Sequence, residues 1–215
     1  MFVGHYGVSF AIKRASPATP LWVLFLAVQL LDVIWAPLVL LGVEKVRIVP
    51  GITRTNPLDL YYMPYTHSLL GAAVWSLAAY VVYRLWRGGN GKAAVLVALA
   101  VFSHWVLDFV AHRPDLPLYD DTAKVGLGLW NLPALAFLIE LLLLFGFMWA
   151  FLRTQAARKT SMLIFGGVMA AVQAIVFFGP PPDSDTSVAS TAIVAYALFT
   201  GFIAWWERRR PLLAT

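Results

Sequence analysis

The sequence predicts an all-α, polytopic membrane protein with six transmembrane helices. Three observations predict it. Of the 215 residues, 60% are hydrophobic and 13% charged, against about 45–50% apolar and about 25% charged in a soluble domain. The apolar residues fall into runs of about 20, the length that crosses a bilayer core of about 30 Å. Lysine and arginine are unevenly shared between alternate connections, as the positive-inside rule requires.

The spans are read as residues 20–43, 66–86, 92–112, 130–152, 161–179 and 187–206. Each is apolar all round, as a lipid-embedded helix is. The alternating ten-residue strands of a membrane barrel are missing. Residues 1–12 are apolar but too short to cross. They predict an interfacial or re-entrant segment, and a dip into the bundle carries His5 into the membrane. With the N-terminus inside, one side collects Lys13, Arg14, Arg84, Arg87, Lys92, Arg153, Arg158, Lys159, Arg208, Arg209 and Arg210. The other side holds Lys45, Arg47, Arg54, Arg113 and Lys124. Eleven against five puts both termini in the cytoplasm. Trp22, Trp86, Trp130, Trp205 and Trp206 fall near span ends, where amphipathic rings anchor.

The whole of 1–215 reads as a single integral membrane domain, without internal repeats, heptads or a soluble module. No signal-peptide layout is present, because Lys13 and Arg14 follow the first apolar stretch. The absence of cysteine excludes disulfides, thiolate ligands and a thiol nucleophile. The net charge of +5 reads as basic cytoplasmic loops, with the lipid bilayer as partner and no nucleic acid expected. Connections 42–66, 113–131 and 179–187 are the longer ones and lie on the outer side, where an active mouth is expected.

Polar groups inside the spans are few. Asp32, His104, Asp108 and Glu140 fall within them, and His67 and His112 at outer span ends. His104, Asp108 and His112 are spaced i, i+4, i+8, which stacks them on one helical face at about 6 Å per step. A charge in hydrocarbon costs several kcal/mol unless paired. Any one of these residues alone reads equally well as a hydrogen bond to a neighbouring helix. His112, beside Arg113, reads as interfacial. Together, carboxylates and imidazoles converging in the central-to-outer half of the membrane predict a divalent metal, zinc first, with manganese or iron(II) also suited. Asp108 and Glu140 are the candidate catalytic groups, Glu140 as general base or further ligand. Arg47, Arg54, Arg113 and His112 are candidates to meet a substrate head group. No G-x-S-x-G elbow or Walker loop is present, and "RGGNGK" (87–92) is a short turn between spans.

"PYTHSLLGA" (64–72) and "FSHWVLDFV" (102–110) resemble the T-H-S-L-L and S-H-x-x-x-D motifs of a family of bacterial inner-membrane metal-dependent hydrolases, also described as LexA-binding, inner-membrane-associated hydrolases. "GHYGVSFAIKR" (4–14) and "QLLDVIW" (29–35) resemble that family's N-terminal histidine and first aspartate. The likeness covers most of the first 140 residues. It departs at Tyr62 and Met63, where the family often has a His-Arg pair, and at Asp32, where it often has two aspartates. The order of ligands is also similar to that of zinc-dependent phospholipase C. That similarity implies Asp32, His67, His104 and Asp108 around one metal, with Asp108 bridging to a second metal on His5. The resemblance implies a hydrolase of the bacterial cytoplasmic membrane acting on a phosphoester or lipid substrate through metal-activated water.

Two other readings stand beside it. One is a non-enzymatic transporter or accessory subunit with an Asp32–Asp108–Glu140 proton or ion relay. The other, ranked last, is a b-type cytochrome with His104 as an axial ligand, for which no histidine stands at clearly matched depth.

Overall fold

The computed structural model describes residues 1–88, 91–154 and 159–209. Five predicted spans become α4 (Leu69–Trp86), α5 (Gly91–Ala111), α6 (Pro133–Leu152), α7 (Lys159–Phe178) and α8 (Asp185–Arg209). All five are long and apolar enough to cross a membrane. Local chemistry sets their starts. Ser68 caps α4, its Oγ accepting from Gly71 N at 2.9 Å. Pro133 opens α6, where its missing N–H leaves no bond unmade.

The first span differs from its prediction. Residues 20–43 form two helices, α2 (Leu21–Val28) and α3 (Leu30–Leu40), bent by 51° at Gln29. Six crossings result only when this bent pair counts as one.

The N-terminal segment forms α1 (Val3–Ala15), and it is inserted rather than interfacial. Val3, Tyr6 and Phe10 are fully buried. Glycine makes this possible at position 7, where a Cβ would lie 2.4 Å from the Leu143 carbonyl oxygen of α6. Met1 is buried, its amino group paired with Asp108, whereas the charge pattern of the sequence predicts this end at the cytoplasmic surface. The physical reason is Glu140 of α6, whose Oε2 accepts from Phe2 N at 2.9 Å and Gly4 N at 3.1 Å. A buried carboxylate caps the free N–H groups and complements the positive end of α1.

The other end of α1 emerges beside α2 and α8. There Lys13 Nζ lies 3.2 Å from Glu207 Oε1, and Glu207 accepts from Leu21 N at 2.8 Å and Trp22 N at 3.0 Å. Arg84, Arg87, Lys92, Arg153, Lys159 and Arg208 sit at helix termini facing the same end of the bundle. Arg158, Arg210, the Arg209 side chain and the Gly89–Asn90 part of the 87–92 turn lie outside the described residues. The aromatic core between these helices includes Phe10 against Phe25 (5.5 Å) and Phe151 (5.6 Å), and Phe25 against Phe165 (6.2 Å).

The opposite end carries the only strands among the described residues. β1 (Lys45–Ile48) pairs antiparallel with β2 (Leu58–Tyr62), with a register irregularity between Lys45 and Arg47. The fold is therefore helical with one small hairpin, where the sequence predicts helices alone. Strands of four and five residues are too short to leave a readable period. Residues 113–131 are pinned by the bridges Leu116–Val125 and Tyr119–Thr122.

Candidate metal centre

The helical spacing does what it predicts. His104 Nε2 lies 3.0 Å from Asp108 Oδ2, one turn on along α5, and His112 Nε2 lies 3.7 Å from Asp108 Oδ1. Three other elements meet this face. From α1, the His5 ring stacks on His104 with centroids 3.9 Å apart and planes within 3°, and its Nε2 is 3.2 Å from Asp108 Oδ1. From α3, just past the bend, Asp32 Oδ1 is 3.6 Å from His104 Nε2. From the turn before α4, His67 Nε2 is 3.2 Å from Asp32 Oδ1 and 3.8 Å from Asp108 Oδ2. His5, His67, His104 and Asp108 are buried and Asp32 is partly so. Two triads, His5–His104–Asp108 and Asp32–His67–His104, each hold their ligand atoms within 4.8 Å of one another.

The tautomers of three histidines follow from their partners. His104 Nδ1 is 2.7 Å from the Val28 carbonyl, at the end of α2 where the first span bends. A carbonyl only accepts, so Nδ1 carries the proton. His112 Nδ1 donates to Asp115 Oδ1 at 2.9 Å. Thr66 gives its one hydroxyl proton to Glu44 Oε2 (2.6 Å) and so accepts from His67 Nδ1 at 2.7 Å. Glu44 is fully buried and also accepts from the N–H groups of Tyr65 (2.8 Å) and Thr66 (3.0 Å). In all three imidazoles Nδ1 is thus engaged outward, and Nε2 is turned toward Asp108 and Asp32. Metal-binding histidines are oriented in this way, by a carboxylate or carbonyl on the distal nitrogen.

The inward nitrogens are poorly satisfied by protein. His104 Nε2 and both nitrogens of His5 are buried without a hydrogen-bond partner, although carboxylate oxygens lie near them. Orphaned buried polar atoms cost about 1–3 kcal/mol each. The donor set of imidazole nitrogen and carboxylate oxygen suits zinc, manganese or iron(II). A haem does not fit. Axial imidazoles face each other across an iron, whereas His5 and His104 stack ring on ring and aim at one carboxylate.

The remaining candidates fall into two groups. Glu140 is buried and lines the cavity beside Asp108, with Oε2 given to the start of α1. His112 is buried, not interfacial, because Asp115 and the Trp130 ring (4.1 Å) enclose it. Arg47 and Arg113 both pair with Asp59, and Arg113 also approaches Asp115 at 3.3 Å. None of Arg47, Arg54 and Arg113 lines the cavity.

Sequence reasoning missed Thr66, Glu44, Asp115 and Tyr196. Tyr196 of α8 donates to Asp32 Oδ2 at 2.7 Å. Asp115 had a signal, its i+3 spacing from His112. Thr66 had one too, in the T-H-S motif. Glu44 and Tyr196 are brought in by tertiary structure alone.

A cavity of about 250 Å³ lies beside the cluster, with Asp32, His67, Asp108, His112 and Glu140 on its polar side. Compared with known protein families, curated proteins and solved structures, the chain matches none.

Proposed function

We propose that the chain is a membrane-embedded, metal-dependent hydrolase of a phosphoester or lipid substrate. His5, Asp32, His67, His104 and Asp108 hold one or two divalent ions, zinc first. The observation that carries this reading is the set of imidazoles with outward Nδ1 donors and inward Nε2 atoms converging on the carboxylates of Asp32 and Asp108. When bound, such an ion supplies hydroxide by lowering the pKa of its water to about 7 and polarises the substrate oxygen. The chain's own residues do the rest. Glu140, on the cavity wall, takes a proton from the attacking water. His112, its ring held by the Nδ1–H it donates to Asp115, presents Nε2 to the cavity as a hydrogen-bond acceptor for the substrate. The apolar remainder of the cavity excludes bulk water, which strengthens these electrostatic interactions. The basic helix termini gathered at one end support a cytoplasmic orientation of that end. The resemblance of 64–72 and 102–110 supports a bacterial inner membrane.

Metal content of detergent-purified protein, prepared without chelators, tests the reading. Wild type is expected to carry near-stoichiometric zinc, manganese or iron. His104→Ala and Asp108→Ala are expected to lose it while keeping helical circular dichroism. Metal-free, folded wild type overturns the hydrolase and moves the weight to a proton relay through Asp32, Asp108 and Glu140.

A further inference from the structure

The cavity beside the cluster has two chemically different parts. Its polar side is the His and Asp cluster. Most of the rest is apolar: Val172, Val176 and Phe177 from α7, and Val188, Ala192 and Ala195 from α8. No lysine or arginine lines it, and the Met1 amino group, which does, is already paired with Asp108. Val172 and Val176 on α7, and Val188, Ala192 and Ala195 on α8, are three or four residues apart, so one face of each helix forms its walls.

The mouth can be located. Among the lining residues only Val176 and Thr191 are exposed, one on each of these helices. Toward the basic end the two helices are bridged, Phe165 stacking on Phe202 at 4.4 Å and meeting Phe199 at 5.6 Å. Toward the hairpin end the cavity lies between them. The opening is therefore lateral, between two apolar spanning helices, under a roof to which Leu58, Leu60 and Met63 contribute. Thr191 lies six residues into α8, about 9 Å along its axis at 1.5 Å per residue. Val176 lies two residues from the end of α7, so the mouth opens on the lateral face of the two spans near their hairpin-side ends. Ile175 (65% exposed) and Val194 (56%) flank the mouth on the surface that faces hydrocarbon.

We infer that this cleft holds the hydrocarbon chain of a bilayer lipid, admitted sideways between α7 and α8, so that the lipid's polar end reaches the His and Asp cluster. A water-soluble substrate gains nothing from apolar walls opening into acyl chains, and a lone charged head group finds no unpaired cation there. A single chain finds matched surroundings along the cleft and a polar terminus at its end. The inference rests on the hydrolase reading only for what happens at that polar end, and the binding itself needs no metal.

The test uses the full-length protein in vesicles of phosphatidylglycerol and phosphatidylethanolamine doped with a phosphatidylethanolamine bearing a diazirine in one acyl chain. After irradiation, crosslinked residues are mapped by mass spectrometry, and metal content is read on the same preparation. Crosslinks are expected on the cavity-facing Val172, Ala192 and Ala195 as well as on the lipid-facing Ile175 and Val194. Filling the cleft with Ala192→Phe or, independently, Val188→Trp is expected to cut the cavity-facing crosslinks several-fold. Those on Ile175 and Val194 should stay, and metal content should be unchanged. Crosslinks confined to Ile175 and Val194 in wild type overturn the inference, and metal retained in that sample leaves the hydrolase standing alone. Cavity crosslinks on metal-free protein do the reverse: the lipid site stands and the hydrolase falls. Rapid reaction of Ala195→Cys with a charged thiol reagent also overturns the inference, because the cleft is then aqueous.

Discussion

Thr66 has one proton to give, and Glu44 takes it. His67 must then donate from Nδ1, which leaves the Nε2 lone pair for the cluster. Replacing Thr66 by valine keeps its shape and removes both bonds. Second partners of this kind change metal affinity by about 10–100-fold. Thr66→Val is therefore expected to weaken zinc binding by about that factor in a chelator competition, with Thr66→Ser close to wild type. Equal affinity in all three would mean that His67 is oriented without the hydroxyl. At this scale the candidate ligands were legible and their supports were not. Asp32, His104 and Asp108 stood out because a titratable group at mid-span has few innocent explanations. Glu44 and Thr66 sit in a connection rich in polar residues, where another glutamate and threonine raise no question. Arg47, Arg54 and Arg113 misled for the same reason. Loop arginines look available in a sequence, and only the fold shows that Asp59 holds two of them.

Among the elements, α1 decides whether the cluster has its fourth histidine. It is 13 residues long and lies inside the bundle because Glu140 caps it and Gly7 lets it touch α6. A Cβ at position 7 meets backbone at 2.4 Å, so α1 must shift, and His5 shifts with it. Gly7→Ala is expected to lower stability by about 1–3 kcal/mol, as overpacking does, and to lower metal content. Gly146→Ala on α6 has open space around its new methyl and serves as the control. Thermal unfolding in detergent, followed by metal analysis, measures both effects. An unchanged midpoint in Gly7→Ala would show that the α1–α6 contact can yield. The break in the first span was hidden for a different reason. Pro37 is the residue that invites a break, yet it lies within α3, and the chain bends at Gln29 instead. What favours that position is tertiary: the Val28 carbonyl at the bend accepts from His104. Spans 66–86 to 187–206 were legible because length and apolarity alone define a lipid-facing helix.

For the whole molecule, the basic end and the cavity end are opposite ends of one bundle, and membrane orientation decides which leaflet the cleft serves. The charge bias favours the basic end inside, since lysine and arginine are retained on the cytoplasmic side. The chain contains no cysteine, so single cysteines report without background. Tyr119 and Asp183 are exposed in connections at the hairpin end, and Thr154 is exposed after α6 at the basic end. None of the three is basic, so replacing them leaves the orienting charges in place. In intact bacterial cells Tyr119→Cys and Asp183→Cys are expected to react with a membrane-impermeant maleimide. Thr154→Cys is expected to react only after permeabilisation. On the lipid reading proposed above, the α7–α8 mouth then opens toward the outer leaflet of the membrane. The reverse pattern would turn the molecule over. Its internal geometry would be untouched, but the same mouth would face the cytoplasmic leaflet, and the pool of lipids able to enter the cleft would change with it.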